Sequence, residues 1–297
     1  MKFQTMSLIA GNHICNASCP FCVSRMTKGN DIDLPVDAIN VRNLKKAISI
    51  AERCDITSVL ITGKGEPTLY PQHIDEYMRV LSEQSEFPFI ELQSNGFLFE
   101  CDSFKDQSVD DMIKRWYDQG LTTVMLSNVG HDKHLNHKTY FPRRDRFFDI
   151  AKVVDRIHEH GLIVRYTTVG IKGGIDNAAE MDKLVAFCRS MGIEQLTWRP
   201  VAQTADSTTM NKGVNAWVTA KGLTDEQSEA TMATVKQEGT LLYNLVHGAA
   251  VYDYKGQNVC LSTCLTHDPD EETIRQLIFY PDGKLFTDWQ YTGSRLL

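Results

Sequence analysis

Three cysteines, Cys15, Cys19 and Cys22, follow one another at spacings of four and three residues in the run C-N-A-S-C-P-F-C. Thiolates so spaced in one loop can face a single point, and soft sulfur donors suit an iron–sulfur cluster or zinc. A structural zinc site takes a fourth protein ligand, for which His13 is close in sequence. A cubane on three cysteines instead leaves one iron open to an outside ligand. A second group, Cys260 and Cys264, lies in C-L-S-T-C. Two thiols hold a cubane only with help from elsewhere, such as His267 or Asp268. They can also serve as a hydrogen-atom donor, a redox pair or a buried structural pair. Cys54, Cys101 and Cys188 fall in or near helical patterns and read as core thiols.

Polar groups fall at the ends of β-like runs. Gly63-Lys64-Gly65-Glu66-Pro67 follows one such run, and there Glu66 and the carbonyls of Gly63 to Gly65 can accept hydrogen bonds from an ammonium group. The glycines let the backbone approach a ligand closely and also make a tight turn. Ser127 ends another run, as a ligand contact or a helix cap, and Arg199 ends a third. Arg165 and Lys172 could hold a phosphate or carboxylate. The last third of the chain carries most of the excess negative charge, including Asp253, Asp268, Asp270, Glu271, Glu272, Asp282 and Asp288. If these face a pocket, Asp288 foremost, they suit an amine-bearing substrate through charge-assisted hydrogen bonds.

The elements that would position these residues alternate regularly. Residues 6–10, 57–62, 88–93, 121–127, 161–169 and 194–199 read as strands, with helical patterns at 35–53, 71–84, 107–118, 145–159 and 177–190. Strand, helix, strand with short connections means a parallel sheet covered by helices, with its ligands at the carboxyl ends of the strands. Six such units in residues 1–200 predict a partial (β/α)6 barrel of the TIM type, an α/β fold. Residues 201–297 read as a small α+β extension over its mouth. The extension has a helix at 224–239, capped by Thr224 with Gln227 three residues on, and a hairpin turning at Pro281-Asp282-Gly283-Lys284.

Composition narrows the class. The chain has 297 residues, 42% of them hydrophobic, eight cysteines and a formal net charge of −7. That charge argues against nucleic acid or an anionic membrane as a partner. No apolar run reaches membrane-spanning length and no secretion signal is visible, so a cytoplasmic protein is expected, with cysteines used for metals or catalysis.

Taken together, the motifs resemble the radical S-adenosylmethionine (SAM) enzymes. Cys15-x3-Cys19-x2-Cys22 with Phe21 before the last cysteine is similar to that family's cluster motif. Gly63-Lys64-Gly65-Glu66-Pro67 stands where the family has Gly-Gly-Glu-Pro, departing from it at Lys64. Gln93-Ser94-Asn95-Gly96 is similar to its Thr-Asn-Gly pattern, and Val169 to Asp176 follow the fifth strand as in many members. The resemblance implies a [4Fe–4S] cluster on Cys15, Cys19 and Cys22, with SAM bound to the open iron. Gly63, Gly65 and Glu66 would lie near its ammonium, Ser127 near its ribose or carboxylate and Arg199 on its adenine side. It further implies one electron from flavodoxin or ferredoxin, cleavage of SAM, and hydrogen abstraction by a 5′-deoxyadenosyl radical.

The resemblance does not fix the reaction. The reading adopted is a redox-neutral epimerisation of a small polar, amine-rich substrate such as an amino sugar, with Cys260 or Cys264 returning a hydrogen atom. The alternative is a peptide- or nucleotide-modifying enzyme with a second iron–sulfur cluster at Cys260 and Cys264. Cys15 comes early, so no leader-binding module is expected ahead of it. The contrasting class is a non-catalytic zinc protein.

Overall fold

The computed structural model describes residues 2–26, 38–201, 212–245, 248–262 and 273–297. Its first six major strands are β1 (Lys2–Ile9), β2 (Ser58–Thr62), β3 (Phe89–Ser94), β4 (Thr123–Ser127), β5 (Ile163–Gly170) and β6 (Gln195–Pro200). They pair in parallel in that order, as the alternation predicts. Besides a single turn at Val23–Met26, the helices between them are α1 (Val41–Arg53), α2 (Pro71–Gln84), α3 (Val109–Asp118), α4 (Lys133–Tyr140), α5 (Ile150–Glu159) and α6 (Ala178–Ser190). Helix α4 is absent from the sequence expectation. It is short and begins on Asp132, whose carboxylate accepts from the backbone N–H groups of His134 and Leu135.

Side chains alternate across a strand, so each strand divides its residues between two faces. One face carries Met6, Leu8, Val59, Ile61, Leu92, Val124, Leu126, Val164, Leu196 and Trp198, all at most 1% exposed and in one core. Facing it, the helices bury their own stripes, such as Ile74, Tyr77, Met78 and Leu81 of α2. The strand register puts Ser7, Glu91, Gln93, Met125, Ser127, Arg165, Thr167, Gln195, Thr197 and Arg199 on the opposite, inner face. Helix packing outside and polar groups inside are what a ligand-lined partial barrel requires.

The C-terminal third joins this sheet rather than stacking upon it. Helices α7 (Lys212–Lys221) and α8 (Asp225–Glu238) come first; Thr224 and Gln227 form the expected capping box on α8. Then β7 (Thr240–Asn244), β8 (Ala250–Tyr254) and β9 (Gln257–Leu261) form a meander in which β9 pairs in parallel with β6. Strand β10 (Thr273–Phe279) pairs in parallel with the other edge, β1, and forms the expected hairpin with β11 (Leu285–Phe286). Gly283, at φ +92°, makes that turn. The parallel part of the sheet therefore has eight strands, two more than the alternation predicts. Among the described residues no helix is long and apolar enough to cross a membrane.

Trp198 links β6 to this addition. It is fully buried, its indole N–H donates to the Ile175 carbonyl at 3.2 Å, and its own carbonyl accepts from Ser262 N–H just after β9. Trp198→Ala is expected to cost about 3–5 kcal/mol in equilibrium denaturant unfolding.

Candidate SAM and iron–sulfur site

The cysteine loop leaves β1 and is held from several sides. Ala10 N–H donates to the Thr62 carbonyl at 2.7 Å, and Gly11 N–H donates to His73 Nδ1 at 3.0 Å. Asn12 Oδ1 accepts from Ile14 N–H at 2.7 Å and from the Tyr70 hydroxyl at 2.6 Å. Asn95 Nδ2 donates to Asn16 Oδ1 at 2.7 Å, and Ser18 N–H to the Tyr140 carbonyl at 2.7 Å. Phe21 packs between the rings of Tyr140 and Trp217, with centroids 6.0 and 5.6 Å away. Asn95 belongs to the segment similar to the family's Thr-Asn-Gly pattern, whereas Tyr70, Tyr140 and Trp217 are supports that sequence reading assigns no role. Their polar and aromatic types are common in any loop, so no spacing signals them.

The segment after β2 clamps this loop. Glu66 N–H donates to the Ile14 carbonyl at 3.0 Å, and a side chain at Gly65 would collide with that same carbonyl. Gly63 likewise lies against the Ala10 carbonyl, 3.0 Å from where a Cβ would stand. Glu66 itself is 4% exposed. Its Oε1 accepts from Thr68 N–H at 3.2 Å, the Thr68 hydroxyl at 2.7 Å and the Ser94 hydroxyl at 2.8 Å. Its Oε2 accepts from Asn95 N–H at 2.9 Å. Burial raises its pKa, and these donors oppose the shift. The carboxylate expected to receive an ammonium is thus already engaged by four protein donors and works first as a brace between β2 and β3.

The three thiols share one electrostatic neighbourhood. Cys15 is exposed as a residue, yet the protein packed around its sulfur pushes the thiol up to about 11, with the charges of Glu66 and Cys22 adding to the rise. Cys19 lies well above its ordinary value for the same leading reason, with Cys22 and Cys15 contributing. Soft donors that repel one another as anions are stabilised by a shared positive centre, so the trio fits a cluster. Among the described residues no three His, Cys, Asp or Glu side chains close on one point as a single ion requires.

Lys64 is only 6% exposed, and its Nζ lies 5.1 Å from the Trp289 ring centroid. Burial lowers its pKa to about 8, opposed by the charges of Cys22 and Asp288. Asp288 Oδ1 accepts from Gln290 and Tyr291 N–H at 2.7 and 3.1 Å. Asp288, expected to meet substrate, thus holds its own turn, and its charge acts on Lys64. Asp253 accepts from Gly256 N–H, and Asp282 pairs with Lys284 at 2.6 Å. Asp268, Asp270, Glu271 and Glu272, the other carboxylates behind the amine-rich expectation, lie outside the described residues.

Arg165, expected to be available to an anion, reaches across β4 to Glu91, Nη1 to Oε2 at 2.8 Å, and its Nε donates to Gln195 at 2.8 Å. Its charge is compensated within the barrel. Lys172 lines a groove of about 490 Å³ with Pro200, Gly222, Asp225 and Glu229 beside α7 and α8. Ser127 ends β4 on the inner face, its hydroxyl 3.4 Å from Met125 Sδ. Arg199 stands opposite Val169 on that face. Burial lowers its pKa; nearby Tyr140 opposes that shift and Arg275 adds to it. Cys260 lies opposite Thr197 in the β9–β6 pair, so it shares the inner face with Arg165. Burial raises its pKa, and Arg165 and Thr197 pull it back. Cys264 lies outside the described residues. Cys188 is buried, and Cys54 and Cys101 pack against the core, as expected.

Two outcomes follow. Glu66→Gln replaces one acceptor oxygen by a donor, so a buried backbone N–H of Asn95 or Thr68 loses its partner; the expected loss is about 1–3 kcal/mol by denaturant unfolding. In metal-free protein at pH 8, Cys15 is expected to alkylate about tenfold more slowly than an unhindered cysteine, read by mass spectrometry, because its lower thiolate fraction outweighs its higher nucleophilicity.

The comparisons agree with this geometry. No curated protein sequence matches the chain. Streptococcus suis SuiB bound to precursor peptide SuiA is similar at a TM-score of 0.57 and 17% identity, covering 97% of this chain and 60% of that one. SuiB bound to S-adenosylmethionine gives 0.55 and 17%, covering 96% and 60%. Native anSMEcpe with bound AdoMet and the Cp18Cys peptide gives 0.51 and 12%, covering 80% and 59%. This chain thus spans about 60% of the length of the SuiB chains, and the likeness is one of fold. The sequence profile of the radical SAM superfamily matches residues 10–188, from the cysteine loop through α6. With more than half its length matched, the chain belongs to the radical SAM superfamily, whose members use a [4Fe–4S] cluster and SAM.

Proposed function

We propose that this radical SAM enzyme epimerises a small polar substrate, with Cys15, Cys19 and Cys22 holding the cluster and Cys260 returning the hydrogen atom. The observation that carries this reading is the register of β9, which sets Cys260 beside Thr197 on the polar inner face of the barrel. When bound, the cluster and SAM supply a 5′-deoxyadenosyl radical that takes hydrogen from carbon.

The remaining steps belong to the chain. The Gly63–Gly65 turn offers backbone carbonyls to the cofactor's ammonium, while Ser127 and Arg199 line the inner face beside it. The Cys260 S–H bond breaks as a new C–H bond forms on the opposite face of the substrate carbon. The proton is held on sulfur beforehand because burial keeps the thiol neutral at physiological pH. The thiyl left on Cys260 returns to the thiol with one electron and one proton. The electron comes from the low-potential donor that also reduces the cluster, a flavodoxin or ferredoxin. The substrate stays at its original oxidation level.

A second reading, peptide modification with an auxiliary cluster at Cys260 and Cys264, draws on the peptides held by the similar SuiB and anSMEcpe structures. One count separates the two. Wild-type and Cys260→Ala/Cys264→Ala proteins, reconstituted anaerobically, are expected to carry about four irons per chain each. About eight irons falling to about four in the variant would overturn the hydrogen-donor reading in favour of the auxiliary cluster.

A further inference from the structure

Lys64 is the residue at which this chain departs from the family pattern, and the turn around it leaves its backbone little freedom. Gly63 and Gly65 on either side lie against the Ala10 and Ile14 carbonyls, so the lysine is carried at a fixed point beside the cysteine loop. Its side chain is buried, yet no hydrogen bond or ion pair within 4 Å joins its ammonium to another described residue. The contacts it does have are electrostatic. Trp289 lies under Nζ at 5.1 Å, and that ring is fixed by packing on Ile9, Ile278 and Phe286. Negative charge at Cys22 and the Asp288 carboxylate both act on it, from opposite ends of the chain.

A buried ammonium without a close anion is expensive to maintain. Negative charge that builds up on the cysteine side of Lys64 would offset that cost. We infer that Lys64 is a positioning charge for the iron–sulfur cluster, stabilising its reduced form, with Trp289 holding the ammonium in place. Reduction adds one electron and no proton to a centre already ligated by three thiolates. The net charge nearby is among the properties that set the potential of such a centre. No bond to Lys64 forms or breaks.

This inference rests on the cluster being held by Cys15, Cys19 and Cys22. The test is an anaerobic redox titration of the reconstituted full chain, followed by electron paramagnetic resonance without substrate, for wild type, Lys64→Met and Lys64→Arg. Lys64→Met is expected to lower the equilibrium constant for cluster reduction about tenfold, a fall of about 59 mV for one electron. Lys64→Arg is expected to stay at the wild-type potential. An unchanged potential in Lys64→Met, or an equal fall in Lys64→Arg, overturns the inference. Should Lys64→Met hold no iron, Lys64→Gln is read in its place. Loss of the cluster from both neutral variants but not from Lys64→Arg supports a charge acting on these thiolates, and loss from all three overturns it. A wild-type chain that binds no cluster overturns the ligand assignment and this inference with it. A wild-type cluster whose potential ignores Lys64 overturns this inference alone.

Discussion

One buried carboxylate organises the reactive end of this barrel. Glu66 receives four hydrogen bonds, two from Thr68 in its own turn and two from Ser94 and Asn95 at the end of the next strand, while its backbone N–H reaches Ile14 in the cysteine loop. Three chain segments that leave three neighbouring strands are thereby fixed to one residue. Charge-assisted bonds in a dry site are strong, and their loss would leave buried groups unpaired. The close approach of Gly65 to Ile14 follows from this knot, and so does the fixed exit point of the Lys64 side chain.

The sheet resolves a second conflict, between a barrel that must fold and a barrel that must bind polar ligands. Its outer face is as apolar as any parallel sheet covered by helices. Its inner face carries Glu91, Gln93, Arg165 and Gln195, which would be costly to bury singly. Glu91 is buried and the other three half-buried, and they form a network, with Arg165 bridging Glu91 and Gln195 while Gln93 donates to the other oxygen of Glu91. Polar groups tied to one another in this way line the interior without an uncompensated carboxylate.

Much of this was legible in the sequence because it is local. Period-two runs and helical stripes locate six strands and five of the six longer helices between them, and the glycines of the Gly63–Glu66 turn mark a close approach. Capping residues Thr224 and Gln227 and the turn at Gly283 are read correctly for the same reason. What local pattern could not supply is adjacency between distant segments. Strands β9 and β10 resemble pieces of a separate appendage until they are found on the two edges of the barrel sheet. The compensation of Arg165 by Glu91 crosses an intervening strand, and the place of Cys260 depends on a register set by β6. The turn held by Asp288 is hidden because composition records charge but not the backbone N–H groups around it. Helix α4 has no strong stripe and is held largely by its cap and by Asn136, which binds the Val129–Gly130 backbone.

Strand β1 has β2 on one side and β10 on the other, and the contact from Thr5 to Arg275 spans 270 positions. Few pairings in a domain of this size close so long a loop, and its closure entropy must be met before the contact is rewarded. The cysteine loop grows directly from the top of β1. The strand that carries the cysteine loop is therefore held between two segments from opposite ends of the chain, so the footing of the metal site depends on residues more than 250 positions beyond it.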